Sequence, residues 1–293
     1  MSLRQTAQRL EDVTATVAMT PNQRYVLVEG ESELKVLRPH VGGRAIIREL
    51  KGRPKVEEAR RILDGRGAQN FVALVDADLD QVLGLNREAS RLVYVSLSGA
   101  NGDSTIDLES TLLRSRALQA VCEQFVGKRL LDFGGPVRFT DSIREQLRVV
   151  TSEVGAYRAA VKSIFTEGRS IQPIGELSAD DWAAVVHPHS GELNRPGLER
   201  QMHEKVRNVE KFPEVKQRAR DLWQGHGHGW LLCRGHDMTA LLATRLSHIL
   251  GGFIKRSEVE ESLYDSYHGS LFKETAFGPK LNDFCDGRMA AHA

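Results

Sequence analysis

Apolar and polar positions follow two rhythms along this chain, and the change falls near Leu108. Before it, short apolar runs stand between helical patterns: Tyr25 to Val28, then "RAII", then "FVALVDADLD", then "RLVYVSLSG". Uninterrupted β-favouring runs of this kind predict strands covered on both faces. Between the first two, Ser32 or the acids around it open a helix that is expected to run through Leu37 and to break near Pro39 and "VGG". In "PKVEEARRILDG", Pro54 marks a helix start, Val56, Ala59, Ile62 and Leu63 share one side, and Gly65 marks the stop. Strands alternating with helices at this spacing predict a βαβ-type parallel sheet.

After Leu108 the period becomes helical. "DLESTLLRSRALQAVCEQFV" is expected to form a helix with Asp107 as its cap, and "DSIREQLRVVTSEVGAYRAAVKSIF" carries an apolar face with room for a break at Thr151 and Ser152. Further helices are predicted around "SADDWAAVV", from Leu198 to Trp223, in "DMTALLATRLSHIL" and in "SEVEESLYDSY", whereas "QGHGHGW" reads as a loop. The expected organisation is a lead segment (1–21), an α/β domain (22–125) and a mainly helical region (126–293).

Composition narrows the class without naming a partner. The 40 Lys and Arg residues balance 39 Asp and Glu, for a net charge of +1, so only a local cluster could attract a polyanion. Cys122, Cys233 and Cys285 are too far apart in sequence to form a close-spaced metal pair, and they read as independent thiols in a reducing compartment. No window reaches the length of a transmembrane span, so a cytoplasmic protein with no membrane partner is expected.

The chemistry is concentrated where strands end. The first strand runs into Glu29 and Gly30, with Glu33 four residues beyond Glu29, and "ALVDADLD" places Asp76, Asp78 and Asp80 after the third strand. Parallel strands release their loops along one edge, so the two acidic ends can meet there. Clustered carboxylates repel one another unless a cation compensates, and all-oxygen donors favour Mg²⁺, with Mn²⁺ as substitute, over Zn²⁺. Gly30 is expected to let the chain turn tightly beside Glu29.

"YVLVEGESELKVL" followed by "VALVDADLD" resembles the TOPRIM signature, with Glu-Gly after one core strand and Asp-x-Asp after a later one. The extra acid Glu33 makes it more similar to the overcoming-lysogenization-defect class of TOPRIM nucleases than to topoisomerases or primases. That resemblance, over residues 22 to 115, implies a TOPRIM-like core and Mg²⁺-dependent phosphoryl transfer. Glu29, Asp76 and Asp78 match the core acids, and Glu33 and Asp80 the secondary ones. "DLESTLL" and "RGHDMTALLATRL" resemble landmarks of a family joining such a core to a helical region, whose members include the nuclease effector of the PARIS phage-defence system. Membership would imply a toxic effector that cleaves host transfer RNA, dimerises and is controlled by a partner ATPase. This chain carries no Walker motif, so that ATPase would be a separate polypeptide.

Other residues carry alternative readings. Glu109 is either a helix-dipole acid or a further metal ligand, Glu31 is expected to be solvated, and Asp103 in "GANGDS" reads as a turn residue. Asp237 is expected to cap a helix, with His236 beside it, near Arg234, reaching substrate phosphate or a catalytic water. His226 and His228 lack a third spaced ligand. Lys51, Arg53, Lys55, Arg114 and Arg116 are either solvated or phosphate contacts. Tyr157, Tyr264 and Tyr267 leave a topoisomerase nucleophile open by composition alone, and the chain carries no zinc-ribbon pattern to support a primase. RNA or DNA as substrate, one or two metal ions, and a noncatalytic, metal-stabilised scaffold remain open at this level.

Overall fold

The computed structural model describes residues 9–85, 89, 91–95, 104–206, 209–226, 229–267 and 269–288. The chain forms two compact units, one of Met1–Ala77, Arg87–Leu97 and His268–Ala293, the other of Asp78–Asn86 and Ser98–Tyr267. The architecture is α/β, a parallel sheet in the first unit and helices throughout the second.

In the first unit, α1 (Leu10–Met19) precedes β1 (Tyr25–Val28), α2 (Glu31–Val41), β2 (Ile46–Glu49), α3 (Arg53–Gly65), β3 (Phe71–Asp76) and β4 (Leu92–Val95). The four strands are parallel in the order β2-β1-β3-β4, with Tyr25 opposite both Ile46 and Phe71 and Ala73 opposite Leu92. The central strands β1 and β3 are buried beneath helices, whereas β2 is half-buried throughout and β4 at alternate positions, as befits edge strands. Tyr25, Leu27, Phe71, Ala73 and Val75 pack with Val13 and Val17 of α1 and with Val56, Ala59 and Leu63 of α3. The order reverses between β1 and β3: the connection leaving β1 goes to one side of the sheet, and the one leaving β3 to the other. A crevice at such a reversal is where open α/β sheets hold ligands.

Helix α2 ends in the predicted "VGG", at Val41 and Gly42, and not at Pro39. α2 runs through Pro39 to Val41, because a proline in the last turn removes only one backbone bond while Leu37 and Val41 gain burial. Asn70, just before β3, donates from one amide nitrogen to the carbonyls of Val17, Thr20 and Gln23, tying the end of α1 to the sheet.

The second unit begins with a 3₁₀ turn at Asp78–Asp80 and continues with α4 (Leu108–Arg114) and α5 (Ala117–Val126). The single helix expected from Asp107 to Val126 is thus two, because Ser115 is extended and its hydroxyl accepts from Ala117 N–H at 3.1 Å, starting a new helix. Next comes α6 (Pro136–Thr166), 31 residues without the break anticipated at Thr151 and Ser152. Those hydroxyls donate back to Leu147 O (2.7 Å) and Val149 O (3.0 Å), so both residues are buried inside a continuous helix.

Against α6 pack α5, α8 (Arg195–Lys205), α9 (Phe212–Gly225) and α10 (Gly235–Leu250), while α7 (Ala179–Val185) packs on α8 and α10, and α11 (Arg256–Asp265) on α4, α5 and α10. The helical pattern from Leu198 to Trp223 divides into α8 and α9, since Val206 leaves helical geometry and Pro213 opens the next helix. Gly155 of α6 has no room for a side chain, because a Cβ there would lie 1.7 Å from Leu232 O.

The chain then returns to the first unit as α12 (Gly269–Glu274) and α13 (Phe277–Cys285). Phe272 stacks on His40 of α2 with ring centroids 4.5 Å apart, α13 packs on β4, and Arg24 donates to Cys285 O. All three cysteines are buried free thiols. Among the described residues no helix is long and apolar enough to cross a membrane.

Candidate functional site

In the first unit, Glu29 directly follows β1 and Asp76 is the last residue of β3, both half-buried at the carboxyl edge of the sheet. Glu29 Oε1 accepts a hydrogen bond from Asp76 N–H at 2.8 Å, so the two strand ends named from the sequence do meet. Their meeting follows from register: β1 and β3 are neighbours, and Leu27 lies opposite Ala73. Gly52 N–H donates to Glu29 O at 2.8 Å, and the turn there uses left-handed backbone at Lys51 (φ 59°) and Gly52 (φ 107°).

Gly30 does not supply a left-handed turn; its backbone is extended (φ −148°), a conformation open to any residue. Its N–H instead donates to Glu33 Oε2 at 2.9 Å, which draws the buried Glu33 carboxylate back over the first turn of α2. Glu31 is solvated as expected, 73% exposed and 3.4 Å from Lys35.

Arg53 is built into the same edge. Its guanidinium donates to Asp76 O (3.2 Å) and Ala77 O (3.4 Å), pairs with Glu57 at 2.7 Å and lies 5.8 Å from the Tyr94 ring centroid. It therefore holds the end of β3 as well as placing positive charge there. Lys51 and Lys55 are exposed.

The chain leaves β3 through Ala77 to Asp78, whose backbone is left-handed (φ 52°). Aspartate tolerates that region better than most residues. The strand alternation consequently ends at Asp76, and the next acids fall in the 3₁₀ turn. In the second unit, Asp78 N–H donates to Ile106 O at 2.8 Å and Asp80 pairs with Lys162 of α6 at 2.6 Å.

A separate polar cluster lies inside the second unit. Asp107 caps α4, accepting from Ser110 N–H at 2.9 Å, and its other oxygen accepts from Gly235 N–H at 2.7 Å at the start of α10. One carboxylate thus serves two helix N-termini, and a Cβ at Gly235 would lie 2.5 Å from it. Burial pushes the Asp107 carboxyl up to about 6, the Glu109 charge adds to the rise, and the Ser110 and Gly235 bonds oppose it. Glu109 is buried and accepts from Tyr264 OH at 2.7 Å.

His236 Nδ1 stands 3.5 Å from Glu260 Oε1, and the bond to Glu260 raises the imidazole's pKa against the opposing effect of burial. Glu260 also pairs with Arg256 at 3.0 Å and accepts from Thr239 at 2.9 Å. Asp237 is not the cap of α10. Its carboxylate forks onto Arg158 Nε and Nη2 at 2.8 and 2.9 Å, both side chains at most 5% exposed, and Arg234 occupies the cap position.

Sequence reading missed Arg158, Glu260 and Lys162, because nothing local in a helical pattern shows which residue of a distant helix will face it. Arg114 lies over Trp230 at 5.8 Å, Arg116 is exposed, and Asp103 and His228 lie outside the described residues.

Among the described residues, no group of three or more His, Cys, Asp and Glu side chains is arranged to hold a metal ion. The donors of Glu29 and Asp76 are carboxylate oxygens at a half-buried edge, a set whose chemistry fits a hard divalent cation that keeps several waters. Comparison of the chain with protein-family models, with curated proteins and with solved structures finds no match.

Proposed function

We propose that this protein is a Mg²⁺-dependent TOPRIM-type nuclease hydrolysing nucleic-acid phosphodiesters. It would act as an endonucleolytic, toxic anti-phage effector on structured RNA such as transfer RNA, under control of a separate ATPase. The observation that supports this most is the Glu29 to Asp76 contact at the carboxyl ends of adjacent parallel strands, at the point where the sheet order reverses. A catalytic acid needs a rigid support, and two central strands provide one.

Glu29 and Asp76 would hold the cation, with Asp78 following two residues along the chain; Glu33 and Asp80 are the secondary acids of the resemblance, and Glu109 is a further candidate ligand. When bound, Mg²⁺ or Mn²⁺ supplies an activated water and neutralises charge on the phosphate. Arg53, fixed by the carbonyls of Asp76 and Ala77, keeps the end of β3 in place and adds positive charge to that edge. His236, whose Glu260 partner favours the imidazolium, is suited to bind an anionic group.

A second reading, a noncatalytic metal-stabilised scaffold, is favoured by the internal partners of two of the candidate ligand acids: Asp80 pairs with Lys162 and Glu109 is bound by Tyr264. The two readings separate in one experiment. Purified protein and Glu29→Gln are incubated with matched transfer RNA, duplex DNA and single-stranded DNA in EDTA, Mg²⁺ or Mn²⁺. Metal-dependent RNA cleavage lost in the variant is the expected result. Equal cleavage by the variant removes Glu29 from the site, and DNA-only cleavage removes the RNA assignment. Silence even with the ATPase partner supplied favours the scaffold. Light scattering tests the expected homodimer.

A further inference from the structure

Within the second unit a cleft of about 410 Å³ is lined by unlike side chains. Phe165, Pro173 and Ile174 are apolar, Lys162 and Arg234 are cationic, and Asp78 also lines the cleft. Its size falls among small-ligand sites, roughly 300–1,000 Å³.

The charged lining residues are not equivalent in how they are held. Arg158, which also lines the cleft, is neutralised by Asp237 and donates to Ile174 O, so it shapes the wall without offering free charge. Lys162 is anchored to Asp80 but remains 37% exposed. Arg234 is half-buried and, among the described residues, has no ion pair. Phe165, near the end of α6, is 57% exposed although most apolar residues of that helix are buried. An exposed ring and cations lining one cleft of this size suit a ligand with one flat apolar face and one phosphate.

We propose that this cleft is a subsite for one unstacked nucleotide of a single-stranded nucleic-acid segment, its base lying on Phe165 and its phosphate on Arg234 and Lys162. The assignment rests on the nuclease reading for its substrate class and adds that the substrate must present an unpaired base. Paired bases are stacked in a duplex and cannot lay a face on Phe165.

The test is binding without turnover. Fluorescence anisotropy of a labelled ten-nucleotide single-stranded RNA in EDTA is compared for wild type, Phe165→Ala, Phe165→Trp, Arg234→Gln and a control, Leu131→Ala, which removes another exposed apolar side chain (76%). Phe165→Ala and Arg234→Gln should each weaken binding about ten-fold. Phe165→Trp and the control should bind as wild type does, and unlabelled duplex RNA should compete poorly. Absence of wild-type binding, unchanged binding by Phe165→Ala, or equal competition by duplex overturns the subsite. Binding with the expected pattern in a protein that never cleaves would leave the subsite standing and sink the nuclease. Metal-dependent cleavage with unaltered Phe165→Ala binding would do the reverse.

Discussion

The acids of the sheet edge and the acids of the helical unit differ in what satisfies them. Glu29 and Asp76 sit half-buried where two parallel strands end, and Glu29 accepts a bond from the backbone N–H of Asp76. Asp107, Glu109 and Asp237 are buried among helices, where Ser110, Gly235, Tyr264 and Arg158 supply their bonds. Carboxylates on an accessible edge are suited to a ligand. Those sealed with their own donors instead fix how helices pack, since a buried charge persists only when paired. On the proposed reading, identical residue types take opposite roles according to whether water can reach them.

The comparison breaks first if the edge acids prove structural. Glu29→Gln keeps an oxygen for Asp76 N–H while removing the charge, so metal-dependent cleavage should fall by on the order of 10²-fold or more with an unchanged circular dichroism spectrum. Activity near wild type in that variant would end the distinction.

The helical unit should respond in stability. Arg158→Met leaves Asp237 buried without its partner and should cost about 3–5 kcal/mol in urea unfolding. The double variant Arg158→Met, Asp237→Leu should recover much of that loss, and a double variant as unstable as the single would refute the pairing argument. Gly155→Ala drives a methyl against Leu232 O and should cost about 1–3 kcal/mol or more, read in the same way.

Asp107 sharpens the comparison through pH. Its folded pKa of about 6 exceeds its ordinary 3.8, so the folded state binds more protons between those values. The favourable contribution is full below about 3.8 and is lost as pH rises through about 6. Asp107→Asn keeps an acceptor for only one of the two N–H groups, which lowers stability at every pH, but it lacks the titration loss, so its melting temperature relative to wild type should rise from pH 4 to pH 7. A pH-independent difference would contradict the burial argument. The smallest effect belongs to Glu31→Ala, which removes an exposed pair with Lys35 and should change stability by less than about 0.5 kcal/mol.

The parallel strands were legible because Tyr25–Val28 and Phe71–Val75 are continuous apolar runs that no surface element would tolerate. Asp107 was legible as a cap because capping is local, reaching only to Ser110. Asp237 was misread for the same reason: an acid at the start of an apolar helix looks like a cap, and its true partner, Arg158, lies 79 residues away. Thr151 and Ser152 suggested a break because hydroxyls compete for backbone bonds, yet in a buried helix those bonds return to their own turn.

The chain's own pattern determined the α/β class, the strand ends that carry Glu29 and Asp76, and the change to helices after Leu108, all of which depend on neighbours in sequence. Tertiary structure alone decided that β1 and β3 lie side by side, that Asp107 serves two helices, that Arg158 neutralises Asp237, and that the last helices return to the sheet through Arg24 and His40. The physical reason is range. Periodicity and capping act over a few residues, whereas strand order, ion-pair choice and the burial of a charge are settled only when distant segments compete for the same surface.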